Sequence, residues 1–296
     1  MLFNNEFNNI KYDEPMKNHT SIKIGGKADI YMEPENIGEL VRFIGCLKEK
    51  DIPYYLFGNG TNVLISDDGI RGAVIKIGEK IADVKVEKNT IIAESGALFS
   101  SISKLAAEHS LTGLEFANGI PGSVGGAISM NAGAYGMEVK DVVEEVEVLD
   151  SEMNTRTLNN KQMKFGYRKS IISKESYIVT TVFFNLKTGS YNDIKKLMTE
   201  LNEKRQAKQP IEFPSAGSIF KRPEGYYAGK LIEDAGLKGM AIGDAEISNK
   251  HCGFIINKGS ATSKDIYNLI VHIQKTIYER YGVKLETEVK LIGKFQ

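Results

Sequence analysis

Apolar residues recur along this chain at two distinct periods. Ile37, Leu40, Val41, Ile44 and Leu47 return every three or four positions, the spacing of one buried helix face. Asn36 precedes them as an N-cap, and Glu39 stands three positions on as the partner of a capping box. Strands flank this helix at 28–32 and, after Pro53, at 54–57, which makes a β-α-β unit. From Arg71 onward, short runs predict strands over 73–77, 84–87 and 90–94, a helix over 99–109, and strands over 142–149 and 177–186. Beyond them Ile194, Leu197, Met198 and Leu201 share one helix face. A short helix covers 227–235. Ile266, Leu269, Ile270, Ile273 and Ile277 mark a longer helix capped by Thr262 or Ser263. The chain closes on a strand with Leu285, Thr287, Val289 and Leu291 on one face and Glu286, Glu288 and Lys290 on the other. The pattern predicts an α+β body rich in strands, not a doubly wound sheet. Lys187-Thr188-Gly189-Ser190 predicts a boundary. It divides the chain into 1–189, with subdomains of roughly 1–77 and 78–189, and 190–296, whose last strand is free to pack back on the first subdomain.

Between these elements lies a segment of different texture. Residues 113–136, GLEFANGIPGSVGGAISMNAGAYG, hold seven glycines in 24 positions and a single charged side chain, Glu115. So many residues without Cβ cost backbone entropy, and they are kept where a side chain would obstruct. One such setting is backbone that runs against a ligand with its N–H groups aimed at it, and phosphate rewards that lining. Ser123, Ser129 and Asn131 add hydroxyl and amide donors. The other reading is a glycine-rich turn region between strands. No GxxxxGK[ST] occurs and no GxGxxG opens a helix, which argues against P-loop and Rossmann sites. Two further segments share the texture: FGNGTNVLIS (57–66), where Asn59-Gly60 also fits a hairpin turn, and HTSIKIGG (19–26). Three polar, glycine-rich turns beside short apolar runs suit one extended ligand.

Composition narrows the partners. The chain of 296 residues is 42% hydrophobic and 26% charged, ordinary for a soluble globular protein with room for two cores. A formal net charge of +0 supplies no global field for nucleic acid or an anionic membrane, so any anion site is local. Cys46 and Cys252 stand far apart with no CxxC, which predicts neither a zinc site nor a disulfide framework. Cys46 reads as a core residue of its helix. His251-Cys252 has ligand chemistry, but neighbours in a strand point to opposite faces. His19, His109, His251 and His272 form no recognisable triad. No apolar run reaches membrane-spanning length and the N-terminus is not a signal peptide, so a reducing cytoplasmic setting is expected.

Three polar residues stand out by context: Arg168 in FGYRKS, Ser218 in AGSIF, and Glu288 on the polar face of the last strand. Each also reads as ordinary: a surface arginine, a turn serine, a solvated strand glutamate. No GxSxG surrounds Ser218.

Taken in order, HTSIKIGG, FGNGTNVLIS, GIPGSVGGAISMNAGAYG, FGYRKS, AGSIFKRP and LETEVKLIG resemble the UDP-N-acetylenolpyruvoylglucosamine reductase family over about 18–293. That resemblance implies a flavoenzyme of peptidoglycan precursor synthesis. Its FAD module is similar to the vanillyl-alcohol-oxidase (PCMH-type) flavoproteins, with two subdomains in 1–189 and FAD between them, and 190–296 is an α+β substrate domain. It implies non-covalent FAD whose diphosphate meets Gly122, Ser123, Val124, Gly125 and Gly126, with Asn59, Gly60, Thr61 and Asn62 from the second loop. Ser129, Asn131 and Gly133 complete the implied cofactor set. NADPH is the implied reductant, with hydride passing through the flavin to C3 of an enolpyruvyl ether. Ser218 matches the proton donor to C2, and Arg168 and Glu288 match the pair at the substrate carboxylate. Lys208 and Lys238 line up with substrate lysines.

The chemistry agrees with these residue types. Hydride at C3 leaves negative charge over C2 and the carboxylate. A guanidinium stabilises that charge without losing its proton, and a glutamic acid donates to the same group if its pKa is raised. Serine serves as a general acid only where the site fixes its geometry. Two departures define the subclass. The interval from Arg168 to Gly189 has no room for an inserted tyrosine loop, and Arg222 stands where the longer subclass has asparagine. Thr287 replaces a common proline between the two glutamates. A flavin oxidase or dehydrogenase of the same fold, acting on another small molecule, is the alternative; it would not require Ser218 and Glu288 in these contexts.

Overall fold

A computed structural model of the chain describes residues 3 and 6–295. It comprises two compact units, each gathered from three stretches of sequence. One holds Met1–Ile10, Met32–Asn59 and Ile75–Arg205; the other holds Lys11–Tyr31, Gly60–Val74 and Gln206–Gln296. The chain therefore changes unit five times, one change falling inside the second glycine loop, between Asn59 and Gly60, and the last in the long helix Tyr191–Lys208, after Arg205.

The first unit is built on a five-stranded antiparallel sheet. Its order is Thr155–Asn159, Val143–Leu149, Ile178–Asn185, Thr90–Glu94, Val84–Glu87. The central strand Ile178–Asn185 is buried along most of its length because it has partners on both sides. Helices Phe99–Glu108 and Val124–Ser129 contribute Phe99, Ile102, Val124 and Ile128 to one core with Ile91, Val146, Val182 and Phe184. Helix Ile37–Glu49 has the predicted cap, Asn36 accepting from the Glu39 N–H at 2.9 Å. The Glu39 carboxylate reaches the N–H of Glu35, one residue before the cap, so the reciprocal half of the box is displaced by one position. Cys46 is half-buried rather than in the core. Helix Tyr191–Lys208 buries only Ile194 and Met198, against Ala107, and leaves Leu197 42% exposed, so its apolar stripe is narrower than the sequence predicts.

The second unit has a four-stranded antiparallel sheet, Ser215–Ser218, Phe254–Asn257, Ala245–Ile247, Ala241–Ile242. Its core joins Ile247 and Ile255 to Ile232 of helix Ala228–Asp234 and to Ile266, Ile270 and Ile273 of helix Ser263–Tyr281. That helix opens with a Thr262–Asp265 capping box and ends at Gly282 in the left-handed conformation, φ 68°. The Asp67 carboxylate accepts from the N–H groups of Ser263 and Lys264 at 3.0 and 3.3 Å, favourable at the positive end of the helix dipole.

Two expectations about strands are corrected. The closing strand spans only Lys290–Ile292, because its parallel partner is the three-residue strand Val63–Ile65. Leu285 and Val289 remain buried, while Thr287 makes an isolated bridge to Phe220. Since Val63–Ile65 takes that parallel partner, Asn59-Gly60 is not the tip of a hairpin joining it to Tyr54–Phe57. No helix among the described residues is long and apolar enough to cross a membrane.

Candidate active site

In the first unit the glycine segment and the start of the second loop meet. Asn59 Nδ2 donates to the Pro121 carbonyl at 3.1 Å, and a Cβ on Gly58 would collide with Ser123 Oγ. Ser123 caps the short helix Val124–Ser129, its Oγ accepting from the Gly126 N–H at 3.3 Å. The N–H groups of Val124 and Gly125 are also consumed, donating to Ala97 and Ser95 carbonyls at 2.8 Å each. The Val124 side chain is fully buried in the core. The backbone implied to face a diphosphate over 122–126 is thus narrower: among the described residues only the Gly122 and Ser123 N–H groups make no hydrogen bond. A Cβ on Gly125 would stand 3.0 Å from Ser95 Cβ, so packing against Ser95 by itself favours glycine there.

Asn131 has partners of its own within the unit. It is fully buried, and its amide is spent inside the unit. Nδ2 donates to Glu138 Oε2 at 3.0 Å and to the Gly166 carbonyl at 3.1 Å, while Oδ1 accepts from the Lys140 N–H at 3.0 Å. Ser129 is tied to the segment after Arg168: its carbonyl accepts from Ser170 Oγ at 2.8 Å, and its hydroxyl lies 3.3 Å from Ser173 Oγ. A Cβ on Gly133 would stand 2.6 Å from the Met137 carbonyl, so that glycine serves the Gly133–Ala134 and Met137–Glu138 hairpin. These three residues support the loop that presents Arg168.

Arg168 occupies the second central position of a tight turn closed by reciprocal Gly166–Lys169 backbone bonds of 3.0 and 3.2 Å. Its φ is 55°, a conformation in which glycine or asparagine is usual and arginine is strained. The guanidinium lies 3.4 Å from the Gly133 carbonyl and 5.1 Å from the Tyr167 ring centroid. A strained backbone at a charged residue is the kind of outlier that points to function.

In the second unit, backbone pairing brings Ser218, Glu288 and Asn62 together. Ser218 ends a bulged strand in which Gly217 has φ 75°. Its Oγ donates to the Phe220 carbonyl at 3.2 Å. The Glu288 N–H donates to the Ile219 carbonyl at 2.8 Å, and the Glu288 carbonyl accepts from Asn62 Nδ2 at 3.1 Å. The Asn62 carbonyl in turn accepts from the Lys290 N–H at 3.1 Å. Gly60 packs on His19, where a Cβ would strike the carbonyl, and its own carbonyl accepts from the Ser21 N–H at 3.1 Å. Among the described residues the N–H groups of Gly60, Thr61 and Asn62 make no hydrogen bond.

Of the two lysines, Lys208 is exposed at a helix end, and Lys238 is exposed but paired with Glu233 at 3.1 Å. Arg222 lies 3.9 Å over the Tyr227 ring. His251 and Cys252 stand in a turn, so the opposite-faces argument against them does not apply.

The donor set fits a bound dinucleotide such as FAD. Gly122 and Ser123 in the first unit offer unused neutral N–H groups of the kind a diphosphate requires, and Gly60, Thr61 and Asn62 of the second unit, taken by itself, offer the same chemistry. Ser95 Oγ and Asn118 Oδ1, both beside this segment in sequence or space, are buried without a partner. Sequence reasoning passed over these two residues, and also Arg205. Burial pulls the Arg205 guanidinium below its usual range, and a Cβ on Gly119 would stand 2.7 Å from its Cδ.

Known proteins resemble the chain throughout. Residues 209–292 match the family model of the UDP-N-acetylenolpyruvoylglucosamine reductase C-terminal domain, and residues 28–159 match that of an FAD binding domain. The chain is 56% identical over 281 residues to the UDP-N-acetylenolpyruvoylglucosamine reductase of Caldanaerobacter subterraneus subsp. tengcongensis, covering 95% of this chain and 93% of that protein. It is 50% identical over 284 residues to that of Clostridioides difficile, with coverage of 96% and 93%. The crystal structure of UDP-N-acetylenolpyruvylglucosamine reductase from Thermus caldophilus superposes with a TM-score of 0.83 at 34% identity, covering 95% of this chain and 98% of that one.

Proposed function

The chain belongs to the UDP-N-acetylenolpyruvoylglucosamine reductase family, and from that premise we propose that it reduces the enolpyruvyl ether of a UDP-sugar to the lactyl ether of UDP-N-acetylmuramate, a peptidoglycan precursor. When bound, FAD supplies hydride chemistry, taking hydride from NADPH and passing it to C3 of the ether. The protein's residues manage the charge and the proton. The backbone pairing around Ser218 carries this reading: the Glu288 N–H bonds the Ile219 carbonyl next to the serine, and Asn62 Nδ2 bonds the Glu288 carbonyl. It joins a proton donor and a carboxyl group to a loop with unused N–H donors, an arrangement that a flavin oxidase for an unrelated substrate would not require.

Ser218 delivers its proton to C2. In the structure that proton rests on the Phe220 carbonyl at 3.2 Å, a long bond readily exchanged for a carbanion. Arg168 stabilises the charge that builds on the substrate carboxylate, and Glu288 donates to the same group. Lys208 and Lys238 attract the UDP diphosphate. Functionally, 1–189 is taken as the FAD-binding part and 190–296 as the substrate domain, a division supported by the two family models, 28–159 and 209–292, although 11–31 and 60–74 belong to the second compact unit and 190–205 to the first. The enzyme works in the cytoplasm, where its nucleotide substrates are found.

Stopped-flow absorbance on Ser218→Ala tests the assignment. NADPH should bleach the flavin at the parent rate, and the enolpyruvyl substrate should restore the colour ~10²–10⁴-fold more slowly. A variant that fails at NADPH reduction while still folded would remove Ser218 from the proton-donor role.

A further inference from the structure

The turn that backs Ser218 contains a histidine with no part in the chemistry above. His251 Nδ1 accepts from the Gly253 N–H at 3.1 Å, which leaves the hydrogen of the neutral ring on Nε2. The ring meets Phe254 edge to face, with centroids 5.0 Å apart. Both neighbours of the ring also touch the serine strand. Phe254 pairs with Ser218, and the Gly253 carbonyl accepts from the Ile219 N–H at 2.9 Å.

Gly253 separates ring and hydroxyl with almost no space. A Cβ there would stand 2.8 Å from His251 Cε1, 3.0 Å from Nδ1 and 3.4 Å from Ser218 Oγ. From the helix Ala228–Asp234, Gly229 closes the other side: its Cβ would stand 3.3 Å from Cε1. The imidazole is thus wedged between two glycines, with its one acceptor nitrogen committed to the backbone beside the proton donor.

We infer that His251 is a positioning residue for Ser218: as the neutral acceptor of the Gly253 N–H it fixes the turn whose backbone sets the serine hydroxyl. Protonated, the ring has no lone pair for that N–H, and the turn loses its anchor. Burial holds the ring below the ordinary histidine value of 6.5, against a backbone hydrogen bond and the Glu233 charge that pull upward, and the Lys208 charge acts in the same direction as burial. The neutral form is therefore the working form at neutral pH.

The inference rests on Ser218 being the proton donor, and the test separates the two. Flavin reduction by NADPH and reoxidation by the enolpyruvyl substrate are followed across pH for the parent, Ser218→Ala, His251→Phe and His251→Asn. Phenylalanine keeps a ring but has no acceptor, whereas the Asn side-chain oxygen takes the place of Nδ1. His251→Phe should slow reoxidation by ~10–100-fold, the scale of a small misplacement of a reacting group, and leave NADPH reduction unchanged. His251→Asn should recover most of that rate. It should also lack the acid-side loss that the parent shows as pH falls below the ordinary histidine range. Parent-like reoxidation in His251→Phe, equal losses in both half-reactions, or an unchanged acid limb in His251→Asn would overturn the inference while a slow Ser218→Ala left the proton-donor assignment standing. Fast reoxidation in Ser218→Ala would overturn both.

Discussion

Replacing Asn131 by alanine distinguishes a residue that touches cofactor from one that holds the loop beneath Arg168. Its side chain is fully buried and makes three hydrogen bonds, to Glu138, Gly166 and Lys140. Alanine orphans all three partners, but not equally. Lys140 is exposed, so its N–H turns to water, and the Glu138 carboxylate keeps its ion pair with the Lys140 ammonium at 2.6 Å. The Gly166 carbonyl has the least recourse. One or two uncompensated groups cost about 1–3 kcal/mol each. The positive φ of 45° at this position, easier for asparagine than for alanine, adds about 1 kcal/mol. A total of about 3 kcal/mol corresponds to a fall of roughly 6–12 °C in Tm for a cooperative unit of this size. Because Gly166 closes the turn that carries Arg168, turnover should fall by about 10²-fold as well.

Calorimetry on flavin-loaded and flavin-stripped protein, with steady-state turnover, checks this. The drop in Tm should appear in both forms, since the three bonds are internal. A variant that melts like the parent when stripped, yet loses flavin affinity, would refute the reasoning and return Asn131 to the cofactor.

Arg168→Lys should keep fold and flavin but lose turnover, because an ammonium lacks the planar fork; parent-like kcat would make Arg168 an ordinary surface residue. Gly125→Val should lower the Tm of flavin-stripped protein by crowding Ser95, at a cost of about 1–3 kcal/mol; a flavin-affinity loss alone would mean that diphosphate, not Ser95, fills that space. Acid precipitation should release FAD into the supernatant, and flavin fixed to the pellet would contradict non-covalent binding. The Arg156 side chain, with the Asn154 and Glu152 N–H groups, holds the Asp150 carboxyl below its ordinary range. Its stabilisation is present above the unfolded-state pKa and is lost as pH falls through the lower folded value. Asp150→Asn should therefore flatten the acid side of a Tm-against-pH curve, and an unchanged acid limb would exclude this pair as its source.

Much of the fold was legible because its signals are local. Ile37–Glu49, Phe99–Glu108 and Ser263–Tyr281 each bury one face, and that face is written in residues three and four apart. The strands Val84–Glu87 and Thr90–Glu94 are neighbours in sequence and in the sheet. The closing strand was overextended because its length is set by a partner more than two hundred residues away, which the alternation of Leu285 to Leu291 does not record. The same non-locality hid the role of His251, whose acceptor nitrogen has meaning only beside the strand that carries Ser218.

The glycine segment shows where sequence reasoning about a site stops. A glycine reports that space is short, not what fills it. At Gly125 the neighbour is Ser95, at Gly133 it is the Met137 carbonyl, and at Gly58 it is Ser123 Oγ. Composition alone leaves a ligand and a turn as alternatives for this crowding. The donors that the protein has not already used are the N–H groups of Gly122 and Ser123 in the first unit and, separately, those of Gly60 to Asn62 in the second. Residues such as Asn131 and Ser129, polar and correctly spaced, are spent on holding the loops. The stripped-protein measurements on Asn131→Ala and Gly125→Val therefore test one idea at two places: that most of the glycine-rich and polar texture of this segment is scaffold, and that cofactor contacts come from a few N–H groups whose side chains contribute little.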